Sequence, residues 1–335
     1  MMQAKYPAGD TADPDREARI EALRRAGRLI SQVRENIMSV MVGKEQAIDG
    51  LLIVLLAQGH ALVEDVPGIG KTTLVSALSQ SLGMSFGRVQ FTPDVMPSDL
   101  TGYSVYNQHT GRFDFHEGLL MKQIILADEL NRATPKTQSA LLEAMQERQV
   151  SVDGRTLPLP KPFMVLATQN PVEQAGTYPL PEAQLDRFML RIMLGYPTEE
   201  EEAEIFRRHI AGTAERGLEP VLSQEAVDWL QQLSRQVFVS EAIHSYVARL
   251  AQTSRRIAAV ALGASPRAAL MLVRASQARA LLFGRGYVTP DDVRALVDDC
   301  WAHRILLTPD ARLNGRSPSD ITAALLAEVP APRPS

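Results

Sequence analysis

The chain has 335 residues, enough for one large domain or two ordinary ones, and its 45% apolar and 22% charged composition is that of a globular protein in water. A net charge of −4 argues against an electrostatic grip on nucleic acid or an anionic membrane. Cys300 is the single cysteine, which excludes an intrachain disulfide and reads as a small buried hydrophobe in a reducing compartment.

Residues 1–14, with Pro7, Gly9 and Pro14 among small and acidic residues, read as a flexible tail. They lack the basic-then-apolar pattern of a signal peptide, and the apolar run 50–57 is too short to span a bilayer. A cytoplasmic location without membrane insertion is therefore expected. From 15 to 38 the positions Ile20, Leu23, Ala26, Ile30, Val33 and Ile37 follow helical spacing, with charges on the other face. Gly43 interrupts that pattern before a second helix that runs through the apolar 51–56. Gly43 is either a simple helix cap or part of a pocket for a nucleotide base.

The following stretch organises the rest. A short apolar run, 61–63, reads as a buried parallel strand, and Leu74, Val75, Ala77 and Leu78 space out a helix. Between them lie Pro67, Gly68, Ile69, Gly70, Lys71, Thr72 and Thr73. Strand, glycine loop and helix in this order form a phosphate site. Gly68 and Gly70 let the backbone curl so that its N–H groups face phosphate oxygens at a helix N-terminus. Lys71 reaches the β- and γ-phosphates, and the Thr72 hydroxyl is placed to ligate Mg²⁺. The general pattern asks for glycine five residues before Gly70, where this chain has Asp65. An ordinary tight turn is the plain alternative.

A second strand is expected at 89–91, then a hairpin-like insertion at 102–118 around Thr110 and Gly111. It is either a surface ribbon or an exposed element that touches substrate or a neighbouring subunit. The apolar strand 123–127 ends in Asp128 and Glu129. On a strand separate from the glycine loop, Asp128 is placed to hold Mg²⁺ and Glu129 to polarise an attacking water. A helix at 136–147 and a hairpin at 150–159 with a favoured Asp153–Gly154 turn follow. The strand 164–167 leads to Asn170, which either orients the lytic water or starts a turn before Pro171. Arg187 precedes a last core strand, 189–192, and Gly195–Pro197 reads as a domain boundary.

The remainder, to about residue 326, is expected to be helical, with helices at 198–210, 223–236, 241–256, 266–283 and 290–299. The acidic run 199–202 reads as capping of the first of these by Thr198, not as a metal site. Ser265 and Pro266 start another, with Arg267 in its first turn, and 328–335 reads as a tail. The histidines give no His-Glu-x-x-His pattern, one cysteine excludes a zinc ribbon, and no Gly-x-Ser-x-Gly elbow occurs.

With these motifs in this order the chain resembles the AAA+ ATPases, and more narrowly the MoxR family, through residues 66–73, 90–102, 126–154 and 167–188 and the C-terminal segment 303–315. The resemblance covers roughly residues 28–325. It implies an α/β fold, a P-loop AAA+ αβα core with a parallel sheet (15–196), followed by a small all-helical lid domain (197–327). It makes 102–118 an insert within the second core helix and 150–159 the hairpin before a sensor strand. It implies ATP with Mg²⁺, with Val42 and Gly43 beside the adenine. Asn170 becomes the first sensor, Arg187 a finger completing a neighbour's site, and Arg267 a second sensor on the lid. It further implies a ring, hexameric in number, acting as a chaperone-like remodeller with partners that carry von Willebrand factor A domains. Metal-cofactor insertion or complex maturation would be the task. A nucleotide-dependent scaffold with little turnover and a nucleic-acid motor are the alternatives, the second disfavoured by the acidic balance.

Overall fold

The computed structural model describes residues 14–65, 68–169, 177–211 and 217–333. In chain order the first part comprises α1 (Pro14–Met38), α2 (Glu45–Leu56), β1 (Ala61–Glu64), α3 (Lys71–Ser81), β2 (Phe86–Gln90) and α4 (Pro97–Thr101). There follow β3 (Gly102–Asn107), β4 (Arg112–Glu117), β5 (Ile124–Asp128), α5 (Pro135–Glu147), β6 (Gln149–Val152) and β7 (Arg155–Pro158). Next come β8 (Met164–Gln169), α6 (Glu182–Leu185) and β9 (Leu190–Ile192).

Strands β2, β5, β8, β1 and β9 lie side by side in that order as one parallel five-stranded sheet. Successive side chains of a strand point to opposite faces, so a strand buried on both sides must be apolar throughout. Strands β5 and β8 meet that condition over residues 124–127 and 164–167. Ile124, Leu126, Met164 and Leu166 enter the core shared with α1–α3, while Ile125, Ala127, Val165 and Ala167 enter the core shared with α4 and α5. Three layers result. The carboxyl ends of β1, β5 and β8 open side by side, the position at which parallel α/β sheets bind ligands.

Two hairpins leave this core. In β6–β7 the turn residues Asp153 and Gly154 both have positive φ, 50° and 74°, the mirror-image turn whose twist suits a two-residue hairpin. The β3–β4 ribbon stands out with Phe113 71% exposed. Its base is a backbone crossing, where a Cβ on Gly118 would meet the Leu100 carbonyl at 2.2 Å.

The C-terminal part comprises α7 (Glu199–Ile210), α8 (Gln224–Arg235), α9 (Glu241–Ser254), β10 (Val260–Leu262), α10 (Pro266–Leu282), α11 (Pro290–Trp301), β11 (Leu306–Leu307), α12 (Pro309–Leu313) and α13 (Pro318–Glu328). The antiparallel pair β10–β11 corrects the all-helical expectation. Strands of three and two residues are too short to carry a periodicity. The apolar core on the α1–α3 side runs into these helices without a break, through Tyr246, Leu272, Val297 and Trp301. The Trp301 indole N–H donates to the Ala268 carbonyl at 3.1 Å, which satisfies a buried donor. No described helix is long and apolar enough to cross a membrane.

Candidate nucleotide site

The carboxyl end of β1 turns into α3 through a glycine loop, of which Val66 and Pro67 lie outside the described residues. Gly68 and Gly70 have φ of 86° and 91°, a left-handed backbone that a side chain would strain. Gly70 caps α3 with no side-chain hydrogen bond, so the N–H groups of the first turn keep their capacity for an outside acceptor. The Lys71 amine donates to the Asp65 carbonyl at 3.0 Å across this loop. Asp65 also serves the chain beyond the sheet: its carboxylate accepts the N–H groups of Leu194 and Gly195.

Opposite the loop, β5 delivers Asp128 and Glu129. Thr168 on β8 joins them, because its hydroxyl donates to Asp128 Oδ1 at 2.7 Å and accepts the Glu129 N–H at 2.8 Å. The Arg88 guanidinium, on β2, holds Asp128 Oδ2 at 2.7 Å, and Arg132 Nε lies 3.1 Å from Glu129 Oε2. Glu129 sits at φ 57°, a left-handed turn that lifts its side chain off the end of the strand.

Together these residues line a cleft of about 340 Å³, with Gly68, Gly70, Lys71, Thr72 and Thr73 on one side and Asp128, Glu129, Thr168, Arg88 and Gln90 on the other. A larger open groove of about 750 Å³ lies between α1 and residues 284–287. It has no phosphate loop and no strand-end carboxylate pair, so the smaller cleft carries the chemistry. Backbone donors and one lysine suit a polyphosphate. Among the described residues no group of three or more His, Cys, Asp or Glu side chains could hold a metal. A Thr72 hydroxyl and one carboxylate suit a hard cation that shares the phosphates' oxygens and keeps its waters.

Other expected site residues fall elsewhere. Asn170 lies outside the described residues. Ile69 packs against the α1–α3 core. Val42 and Gly43 do not line the cleft; Gly43, at φ 67°, lies against the Glu201 carboxylate of α7, which a Cβ would overlap. Arg187 and Arg267 do not line it either. Partial burial holds the Arg187 pKa below its usual range, the Arg267 charge adds to that, and Glu143 and Glu147 on α5 oppose it. Arg88, Gln90 and Thr168 are the cleft residues that sequence reasoning missed, as was Arg132 beside Glu129. The pairing of Gln90 with Asp128 across β2 and β5 would have drawn in Arg88, but only once the register was known.

Residues 60–190 match the model of the ATPase family associated with various cellular activities, and residues 252–325 match an AAA lid domain. Chaperone MoxR1 of Mycobacterium tuberculosis is 41% identical over 98% of this chain and 89% of its own length. The chain belongs to the MoxR family of AAA+ ATPases. The Bacillus subtilis protein YeaC is 46% identical over 91% of this MoxR-family chain and 95% of its own. A solved structure from Cytophaga hutchinsonii superposes with a TM-score of 0.89 at 39% identity, covering 96% of this chain and all of that one. The MoxR-family ATPase therefore shares sequence with these relatives, and architecture with the solved structure, along nearly its whole length.

Proposed function

We propose that this ATPase is a ring-forming remodeller of protein partners, hydrolysing ATP at sites shared between neighbouring copies. One observation carries the reading. The cleft holds the phosphate loop, Asp128 and Glu129, while neither Arg187 nor Arg267 is among the residues that line it. A finger that cannot serve its own cleft can complete a neighbour's, so turnover would depend on assembly.

Within one subunit the N–H groups of residues 68–73 and the Lys71 amine would bind the phosphates. Glu129 would take a proton from the attacking water once its carboxylate leaves Arg132. Thr168 would hold Asp128 and the Glu129 backbone in fixed relation. Thr72 and Asp128 would hold Mg²⁺, which would supply charge neutralisation of the phosphates. Arg187 of the adjoining copy would stabilise the charge that develops in the transition state. Asn170 would orient the water, and Arg267 would report the lid's position to the same neighbouring site. A chaperone name on the Mycobacterium tuberculosis relative supports protein clients. Partners with von Willebrand factor A domains, a hexameric ring, and work in complex maturation or metal-cofactor insertion complete the proposal.

The test is the ATPase rate per subunit against protein concentration, with mass measured in the same solutions and Glu129→Gln alongside. The expected result is a rate that climbs with assembly and vanishes in the variant. A rate independent of assembly state overturns the shared site. The scaffold reading has one feature in its favour: Arg88 and Arg132 already occupy the two acidic side chains. Assembled rings with no turnover would decide for it.

A further inference from the structure

The peptide on both sides of Arg187 is gripped from the C-terminal part of the chain. The Asp186 carboxylate accepts from the Ser265 hydroxyl, 79 residues away, at 3.2 Å, and its Oδ1 lies 3.1 Å from Arg304 Nε. Arg304 Nη2 donates to the Asp186 carbonyl at 3.2 Å and also to the Phe188 carbonyl. His303 Nε2 donates to that same Phe188 carbonyl at 3.0 Å. The Arg304 side chain is only 3% exposed, and its Nη1 donates to the Cys300 carbonyl at the end of α11. A guanidinium taken out of water is costly, and a well-packed apolar residue of similar volume is often as stable or more so. Its planar fork instead spans residues 186 and 188, one on each side of Arg187, which an apolar side chain cannot do.

The surroundings of Arg187 explain why such a grip matters. Arg267 repels it, while Glu143 and Glu147 on its own subunit attract it. A loosely held loop would let Arg187 turn towards those carboxylates and away from a neighbour. Displacements of about 1 Å in positioning can cost on the order of 10²-fold in rate.

We infer that Arg304 is a positioning residue for Arg187, fixing the backbone on both sides of it so that the guanidinium is presented to the nucleotide of an adjacent copy. This rests on the reading of Arg187 as a finger acting on a neighbour's site. Ser265 does the same work more weakly, through the Asp186 carboxylate alone.

The experiment uses the full chain as Arg304→Gln, with Arg187→Ala and Glu129→Gln as partners. For Arg304→Gln alone, kcat falls about 10-fold or more. KM, the affinity for a fluorescent ATP analogue, and oligomer mass stay within about 2-fold. Mixed assemblies with excess Glu129→Gln, whose copies cannot hydrolyse but carry a held Arg187, restore turnover per Arg304→Gln subunit. A wild-type kcat in Arg304→Gln, or a loss that mixing does not restore, overturns the positioning role. The Arg187→Ala mixture separates the two claims: if Glu129→Gln fails to restore it, the finger reading itself fails. If Arg304→Gln does not fold, Ser265→Ala carries the test, with a 2- to 5-fold fall in kcat restored by the same mixing. An unchanged kcat there counts against the proposal.

Discussion

In the cleft the charged side chains are matched within the chain: Arg88 on Asp128, Arg132 beside Glu129, Lys71 on the Asp65 carbonyl. At Arg187 itself the arrangement reverses: the Arg267 charge opposes it, and Glu143 and Glu147 on α5 act on it only through space. Among the described residues no carboxylate forms an ion pair with Arg187. Arg187 is partly buried and feels the charge of the exposed Arg267, so it gains little from its own subunit, and an anion brought by another body would remove the penalty. On the proposed reading the cleft binds nucleotide on its own, whereas the arginine edge works only on assembly.

Removing Arg187 cuts deepest. Arg187→Ala should lower turnover on the order of 10³-fold, as loss of a finger does, while nucleotide affinity by fluorescence titration stays unchanged. A purified oligomer of that variant with normal turnover would break the comparison outright. Glu129→Gln should lower the rate by roughly 10²-fold or more while binding persists, because a general base contributes that much. Thr168→Val sharpens the picture on the cleft side. It deletes the hydroxyl between Asp128 and the Glu129 N–H and leaves a buried donor unpaired. Chemical denaturation should show a loss of about 1–3 kcal/mol, with a fall in kcat smaller than that of Glu129→Gln.

A pH effect belongs to the arginine side. His60 is buried, donating to the Met145 carbonyl and accepting the Val165 N–H, and desolvation, followed by the charge of Arg148, drives its pKa down to about 3. An unfolded chain takes up a proton at that ring below about pH 6.5, whereas the folded chain does not. Stability should thus be complete above pH 6.5 and fall as the pH drops from there towards 3, by about 1.4 kcal/mol per pH unit from this group. Urea midpoints at pH 7 and pH 5 should show this slope in the wild type and a shallower one in His60→Gln.

Much of the fold was legible because local rules carry it. The buried strands read as unbroken apolar runs, the helix starts at Thr198 and Ser265 carry side-chain caps, and the glycine loop sits between a strand and a helix. The cleft residues that were missed depend on distant pairing. Arg88 meets Asp128 only through the β2–β5 register, and Thr168 meets Glu129 only because β8 lies beside β5. The grip of Arg304 on residue 186 spans 118 positions, which no local pattern encodes. Asp65 illustrates the same point. It departs from the general glycine pattern, and its carboxylate is occupied by the backbone of residues 194 and 195. The short strands β10 and β11 and the brief helices α4 and α6 escaped because a few residues hold no period.

Cys300, the one thiol of the chain, is fully buried behind α10, and burial raises its pKa away from the reactive thiolate. Native chemistry therefore leaves the surface clear for site-selective labelling. A cysteine introduced on the β3–β4 ribbon or on the exposed face of α10 would be the single site a maleimide dye meets, with no background thiol to remove first. Subunit exchange, ribbon movement and the seating of one copy against the next become observable by energy transfer in an otherwise unaltered protein.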